Sequence, residues 1–222
     1  MKQLQLEEKY ILEYIKEQLL SFKTEKKIIE NAKFHHTTGY HNAVSIINNG
    51  ILSLQHQKDL NINDHSKELL DIMNDTHSHI NGSDGISLSV VGLDDLYEHE
   101  MEYNPFQEKF VDFMISNDIK AYRHTTHYGN EYISYDAILP DKFQAIDIRL
   151  LSYINTINNL KNKNPNHKEI IELMNKYNHL TEMALALQDN NLSIPIREMS
   201  DNNMIELNKE RISESPKILI KK

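Results

Sequence analysis

Apolar residues recur at helical spacing at the start of the chain. From about Leu4 to Phe22, Ile11, Ile15, Leu19 and Phe22 share one face with Glu and Lys between them, which predicts an amphipathic helix. From Lys33 the pattern shortens. Lys33-Phe34-His35-His36-Thr37-Thr38 reads as a strand that Gly39 ends; Tyr40 to Asn49 then carries Ala43, Ile46 and Ile47 on one helical face, with Gly50 where a C-terminal cap belongs. Another helix is expected over Asp64 to Asn74, with Asp64 as N-cap and Leu69, Leu70 and Met73 inward. A glycine-containing turn from Asn81 to Gly85 leads into Ile86-Ser87-Leu88-Ser89-Val90, whose strict alternation sends Ser87 and Ser89 to the face opposite the core. Phe110 to Ser116, Glu131 to Tyr135 and Phe143 to Leu150 read as further strands, with Pro140-Asp141 separating the last two. Beyond an Asn- and Lys-rich stretch from Asn155 to Asn166, a helical run over His167 to Gln188 carries Ile170, Ile171, Met174, Leu180 and Met183. The tail from Asn202 is polar and charged, with Ile218 and Leu219 able to dock. The expected organisation is an α+β chain: a helical extension over residues 1–32, a mixed core over 33–150, and a helical segment with tail over 151–222.

Composition narrows the functions this pattern can serve. At 222 residues the chain suits one domain with a modest extension. Its 24 Lys+Arg stand against 33 Asp+Glu, a net charge of -9, which argues against a surface built to coat nucleic acid. The absence of cysteine removes disulfides, thiolate zinc sites, iron–sulfur clusters and cysteine nucleophiles. No stretch reaches the roughly 18 to 20 apolar residues of a membrane helix, and no Sec signal or lipidation motif is visible, so the expected location is the cytoplasm, or a host cell reached without a Sec signal peptide. The 12 histidines include His77-x-His79, His35-His36 and His124-x-x-His127, but none lies in a recognised metal-binding context, and no metal is expected. Glu98-His99-Glu100 reads as a charged helix face. There is no Walker A or Gly-x-Gly-x-x-Gly loop.

Three polar elements remain at strand positions: His35 with Thr37, Ser87 with Ser89, and Glu131. Each alone has an ordinary explanation as a structural histidine, a half-exposed sheet face or a solvated carboxylate. Together they can converge on one cleft if their strands are neighbours.

Their order carries a resemblance. Phe34-His35-His36-Thr37-Thr38, Asn42-Ala43 and Ile46-Ile47-Asn48-Asn49-Gly50-Ile51-Leu52 resemble the opening of the ADP-ribosyltransferase fold, in its diphtheria-toxin and poly(ADP-ribose) polymerase branch, where an aromatic-His-x-Thr strand runs into a helix ending in Asn-Gly-Ile. Gly85-Ile86-Ser87-Leu88-Ser89 resembles that family's second strand, and Asn130-Glu131-Tyr132-Ile133, followed by Ile138-Leu139-Pro140 and Ile146-Asp147-Ile148, resembles its catalytic-glutamate strand and the hairpin after it. The resemblance spans roughly 33 to 150 and neither end of the chain. It implies a split, strongly curved sheet with flanking helices, NAD as co-substrate, and transfer of ADP-ribose to a protein or nucleic-acid acceptor by a bacterial or phage toxin or a secreted effector. An RNA 2'-phosphotransferase-like enzyme, or an inactive binding module of the same fold, are the alternatives it leaves. The terminal helices are then the candidate surface for a protein partner.

On that resemblance Glu131 is the catalytic candidate: a carboxylate beside the nicotinamide ribose stabilises the oxocarbenium-like character of the breaking glycosidic bond. His35 and Thr37 would position NAD, Ser87 and Ser89 would order the glutamate and leave room for the nicotinamide, and Tyr40, Tyr97 or Tyr128 would offer a stacking face, with Tyr97 the choice for the cofactor site. The segment from Tyr122 to Asn130 is expected to be a loop overhanging the site, with Arg123 and Tyr128 contacting the acceptor. The sequence departs from the family in two places. Ser87 stands where a Tyr is common, and Gly129 stands two residues before Glu131, where toxins modifying arginine, asparagine or cysteine often carry Gln or Glu; the acceptor is therefore left open.

Overall fold

The computed structural model describes residues 2–24, 32–60, 85–90, 110–126, 129–159, 165–200 and 203–221. In chain order these form strand β1 (Gln3–Leu6), helix α1 (Glu8–Phe22), β2 (Ala32–Gly39), α2 (Tyr40–Asn49), α3 (Leu54–Asp59), β3 (Ile86–Val90), β4 (Phe110–Ser116), β5 (Tyr122–Thr126) and β6 (Gly129–Ser134). After a 3-10 turn at Pro140–Lys142 come β7 (Phe143–Ile148), α4 (Leu150–Asn159), α5 (His167–Asp189), β8 (Ile196–Ser200), β9 (Asn203–Leu207), α6 (Lys209–Glu214) and β10 (Lys217–Ile220). The chain is mixed α/β, and among the described residues its main sheet has eight strands in the order β5-β6-β3-β2-β4-β7-β8-β9. All its pairings are antiparallel except β7 with β8, for which α4 and α5 supply the long crossover that a parallel pair needs.

Helices cover one face of this sheet. In α1, Ile11, Ile15, Leu19 and Phe22 are buried at the spacing read from the sequence. The 23-residue α5 starts from a capping box between Asn166 and Glu169 and buries Ile170, Leu173, Tyr177, Leu180, Ala184 and Leu187. These side chains join Phe34, Leu88, Val111, Phe113, Ile115, Ile146 and Ile148 from the strands in one core. Full burial of each such aliphatic or aromatic group contributes about 1.5–3 kcal/mol, so this layer fixes which sheet face turns inward. Helix α2 stops where expected: Gly50 has φ +84° and donates its N–H to the Ile46 carbonyl.

Strand β2 lies between β3 and β4 in this sheet. Among the described residues, β2 pairs with β4 from Ala32↔Ser116 to Gly39↔Phe110 and with β3 at Phe34↔Val90 and His35↔Ser89. Beyond His35 the His36 ring reaches across to β3, its Nδ1 3.1 Å from the Ser87 carbonyl oxygen.

Four expectations change. Residues 3–6 are a strand rather than the start of the first helix, because β10 offers them a parallel partner from Gln3↔Lys217 to Leu6↔Ile220. The strand beginning at Phe143 ends at Ile148, and Leu150 already opens α4. The segment after residue 150 is not purely helical, since β8 and β9 extend the main sheet and β10 closes on β1. Residues 122–126 are strand rather than loop: β5 pairs with β6 from Tyr122↔Ile133 to Thr126↔Gly129. The helix expected over Asp64 to Asn74 lies outside the described residues.

Candidate functional site

The strand order makes β2, β3 and β6 neighbours, and the register aligns the three polar elements. His35 pairs with Ser89, and Ser89 pairs with Glu131, so the three occupy one row across the sheet. Each step between strands is about 4.8 Å, which puts the backbone positions of His35 and Glu131 roughly 10 Å apart. Thr37 and Ser87 each sit two residues along their strands from this row, on the same side of the pleat as His35 and Ser89. Ser87 and Ser89 are exposed while Ile86 and Leu88 are buried, as the alternation requires.

A carboxylate from β4 holds the β2 part of this arrangement. Asp112 lies opposite Thr37 in the ladder, and its Oδ1 accepts the Thr37 hydroxyl at 2.5 Å. Its Oδ2 accepts Nη1 of Arg149 at 2.5 Å, and the His35 Nδ1 lies 3.9 Å from Oδ1. Burial pushes the Asp112 carboxyl up, but the His35 ring, the Arg149 charge and the Thr37 hydroxyl together outweigh it and bring the pKa down to about 2. The side chains of His35 and Asp112 are 18% and 8% exposed, and the His35 Nε2 itself is buried.

A second buried pair stands beside the first. Asp147 is the register partner of Asp112 on β7, and Arg197 on β8 grips it at both oxygens, Nε to Oδ1 at 2.6 Å and Nη2 to Oδ2 at 2.5 Å. Two neighbouring carboxylates thus each have their own guanidinium. Arg149 also donates Nη2 to the Met199 Sδ at 3.4 Å. At the adjacent β8 position, Glu198 is fully buried and accepts the Leu150 and Leu151 backbone N–H groups at 3.1 and 2.9 Å, closing the first turn of α4. Burial raises its pKa to about 8 against the opposing pull of those N–H groups.

The sequence reading missed Asp112, Asp147, Arg149, Arg197 and Glu198. A signal was present: Asp112 interrupts the apolar run Phe110-Val111-Asp112-Phe113-Met114-Ile115, and Asp147 interrupts Ala145-Ile146-Asp147-Ile148. A charge inside a run that must be buried needs a partner. His36 behaves as a structural histidine, its pKa lowered by burial. Tyr40 cannot serve as a stacking face, because it is buried in the core with the Lys176 ammonium 5.2 Å from its ring centroid.

Arg123 is exposed on β5 at the position paired with Tyr132, one residue out of step with the row; the row continues onto β5 at His124. Tyr97 and Tyr128 lie outside the described residues, as do His77, His79 and His127. Two exposed tyrosines not singled out by the sequence, Tyr122 and Tyr135, stand at this end of the sheet with ring centroids 6.1 Å apart. Among the described residues, no three acidic or histidine side chains are grouped so as to hold a metal ion, and no helix is long and apolar enough to cross a membrane. Comparison of the chain with protein-family models, with curated proteins and with solved structures finds no match.

Proposed function

We propose that this chain is an NAD-dependent ADP-ribosyltransferase that modifies a protein or nucleic-acid acceptor, of the toxin or effector type its sequence resembles. The observation that carries the reading is the row His35–Ser89–Glu131, formed by strands distant in sequence and aligned residue for residue. The side chains described there suit the dinucleotide. The exposed Thr37 offers a hydroxyl for a ribose hydroxyl beside the His35 ring, and the exposed Ser87 and Ser89 leave space for a flat nicotinamide ring.

In this reaction the C1'–N bond between ribose and nicotinamide breaks, and its electron pair leaves with the nicotinamide. The acceptor nucleophile forms the new bond to C1' and gives up its proton to base or solvent. Glu131 supplies the negative charge that stabilises the oxocarbenium-like transition state, and His35 and Thr37 hold the adenosine half so that the bond lies within reach of that charge. A 2'-phosphotransferase would want guanidinium groups for phosphate, whereas Arg149 and Arg197 are bound to Asp112 and Asp147.

The test is nicotinamide release from NAD together with transfer of labelled ADP-ribose to components of a host lysate. Glu131→Gln keeps size and shape but removes the charge, and it should lower kcat about a hundredfold with KM little changed, the scale of losing one preorganised electrostatic group. Wild-type turnover by a folded Glu131→Gln protein would refute the assignment. Nicotinamide release without a labelled acceptor would make the activity an NAD hydrolysis.

A further inference from the structure

We propose that Asp112 is a positioning residue for NAD: anchored by Arg149, its carboxylate fixes the Thr37 hydroxyl and backs the His35 ring, so that the β2 side of the site is ordered before the dinucleotide arrives. This rests on the ADP-ribosyltransferase reading and assigns a role to a residue on β4, a strand that contributes nothing to the His35–Ser89–Glu131 row.

The geometry separates the two oxygens of this carboxylate by task. Oδ2 takes the Arg149 guanidinium, which comes from the turn between β7 and α4 and is therefore fixed by the far side of the sheet. Oδ1 faces the site, accepting the Thr37 hydroxyl at 2.5 Å and lying 3.9 Å from the His35 Nδ1. The 3.9 Å separation is too long for a hydrogen bond, so the carboxylate acts on His35 through its charge and on Thr37 through a directed bond. Thr37 and His35 project from the same side of β2, whose described pairing with β3 runs through Phe34 and His35. Past that point the His36 ring reaches the Ser87 carbonyl on β3, and Asp112 ties the Thr37 side chain down from the β4 side.

Burial alone gives no reason for an ion pair here. The neighbouring positions Val111 and Phe113 are fully buried and apolar, and a buried ion pair of this kind is often matched in stability by a well-packed apolar pair. A carboxylate at residue 112 does, however, hold a hydroxyl in one rotamer. A Thr37 hydroxyl whose hydrogen is committed to Oδ1 offers its lone pairs to a ribose hydroxyl, which makes it an acceptor of fixed direction.

The experiment compares NAD KM and kcat for the wild type, Asp112→Asn, Thr37→Val, Thr37→Ser and the double variant Asp112→Asn/Thr37→Val, with thermal unfolding of each. Asp112→Asn and Thr37→Val should each raise the NAD KM about tenfold with kcat within a few-fold of wild type, the scale of one charge-assisted hydrogen bond. Thr37→Ser should restore KM, and the double variant should be little worse than either single one, because both remove the same interaction. A purely structural Asp112 would lower the melting temperature and leave the KM of the folded protein unchanged, which would overturn the proposal. If Asp112→Asn does not fold, the exposed Thr37 decides: equal KM for Thr37→Val and the wild type overturns it. A wild type that neither binds nor splits NAD refutes the ADP-ribosyltransferase reading, and NAD positioning with it. A wild type active on NAD whose KM ignores these substitutions refutes the positioning role alone.

Discussion

Replacing Glu198 by Gln should abolish a dependence of stability on pH that the wild-type protein shows near neutrality. In the folded chain Glu198 is fully buried, and its pKa rises from 4.5 to about 8. An acid whose folded pKa is raised binds its proton more tightly in the native state. Its contribution to stability is therefore complete below pH 4.5 and is lost as pH climbs toward 8. The whole interval corresponds to roughly 5 kcal/mol, and the step from pH 7 to pH 8 alone to about 1 kcal/mol, or about 2–4 °C in Tm for a chain of this size. His36 has the opposite sign: its depressed pKa favours the native state above 6.5 and stops doing so as pH falls below that value. The cleanest window is thus pH 7 to 8, where His36 is almost silent. Asp112 matters only in acid, where its stabilisation fades below 3.8 toward about 2. The assay is thermal or urea unfolding at pH 7.0 and 8.0. Wild type should lose stability across that step and Glu198→Gln should not; parallel curves for the two proteins would show that Glu198 is already ionised in the native state and would refute the reasoning.

Arg197→Met should destabilise by about 3–5 kcal/mol in urea unfolding, because it strips Asp147 of its two-pronged partner, whereas adding Asp147→Leu should recover most of that loss; equal damage from the single and double changes would count against the pair. Gly50→Ala should lower stability by about 1–3 kcal/mol, since φ there is +84° and the new Cβ would lie 2.5 Å from the Ile138 carbonyl oxygen. An unchanged Tm in that variant would mean the α2 end and the Ile51–Ile138 bridge can yield without cost.

Where one face of an element had to be buried, its periodicity could be read directly. The β3 alternation and the α1 stripe depend only on which side of a strand or helix meets the core, and both stand as expected. The row His35–Ser89–Glu131 was legible as a set of residue types and became a geometric statement only through the register. What could not be read was governed by partners far along the chain. Gln3 to Leu6 continues naturally into the helix after it, and only Lys217 to Ile220, more than two hundred positions away, makes it a strand. Asp112 stands out as a charge within an apolar run, but Arg149 cannot be named as its partner until β4 and β7 lie side by side. Tyr40, expected from the resemblance to offer a stacking face, is instead buried at the start of α2 with Lys176 over its ring, a contact set by a helix far along the chain.

The pairing of β1 with β10 also determines how the fold meets a mechanical load. The two strands run in the same direction, with Gln3 opposite Lys217 and Leu6 opposite Ile220, and the Lys217 and Lys221 N–H groups bond the Lys2 and Leu6 carbonyls at 2.9 and 2.8 Å. A pull entering before Gln3 and leaving after Ile220 slides the strands lengthwise past each other. Every rung of the ladder then bears tension at once, where an antiparallel hairpin pulled from its open end would yield rung by rung. On its other edge, Ile218 is gripped through both its N–H and its carbonyl by the side-chain amide of Asn178 on α5, at 2.8 and 2.9 Å, so sliding β10 also drags on that 23-residue helix. A load applied across these two strands is therefore carried by the β1–β10 ladder and the Asn178 amide together.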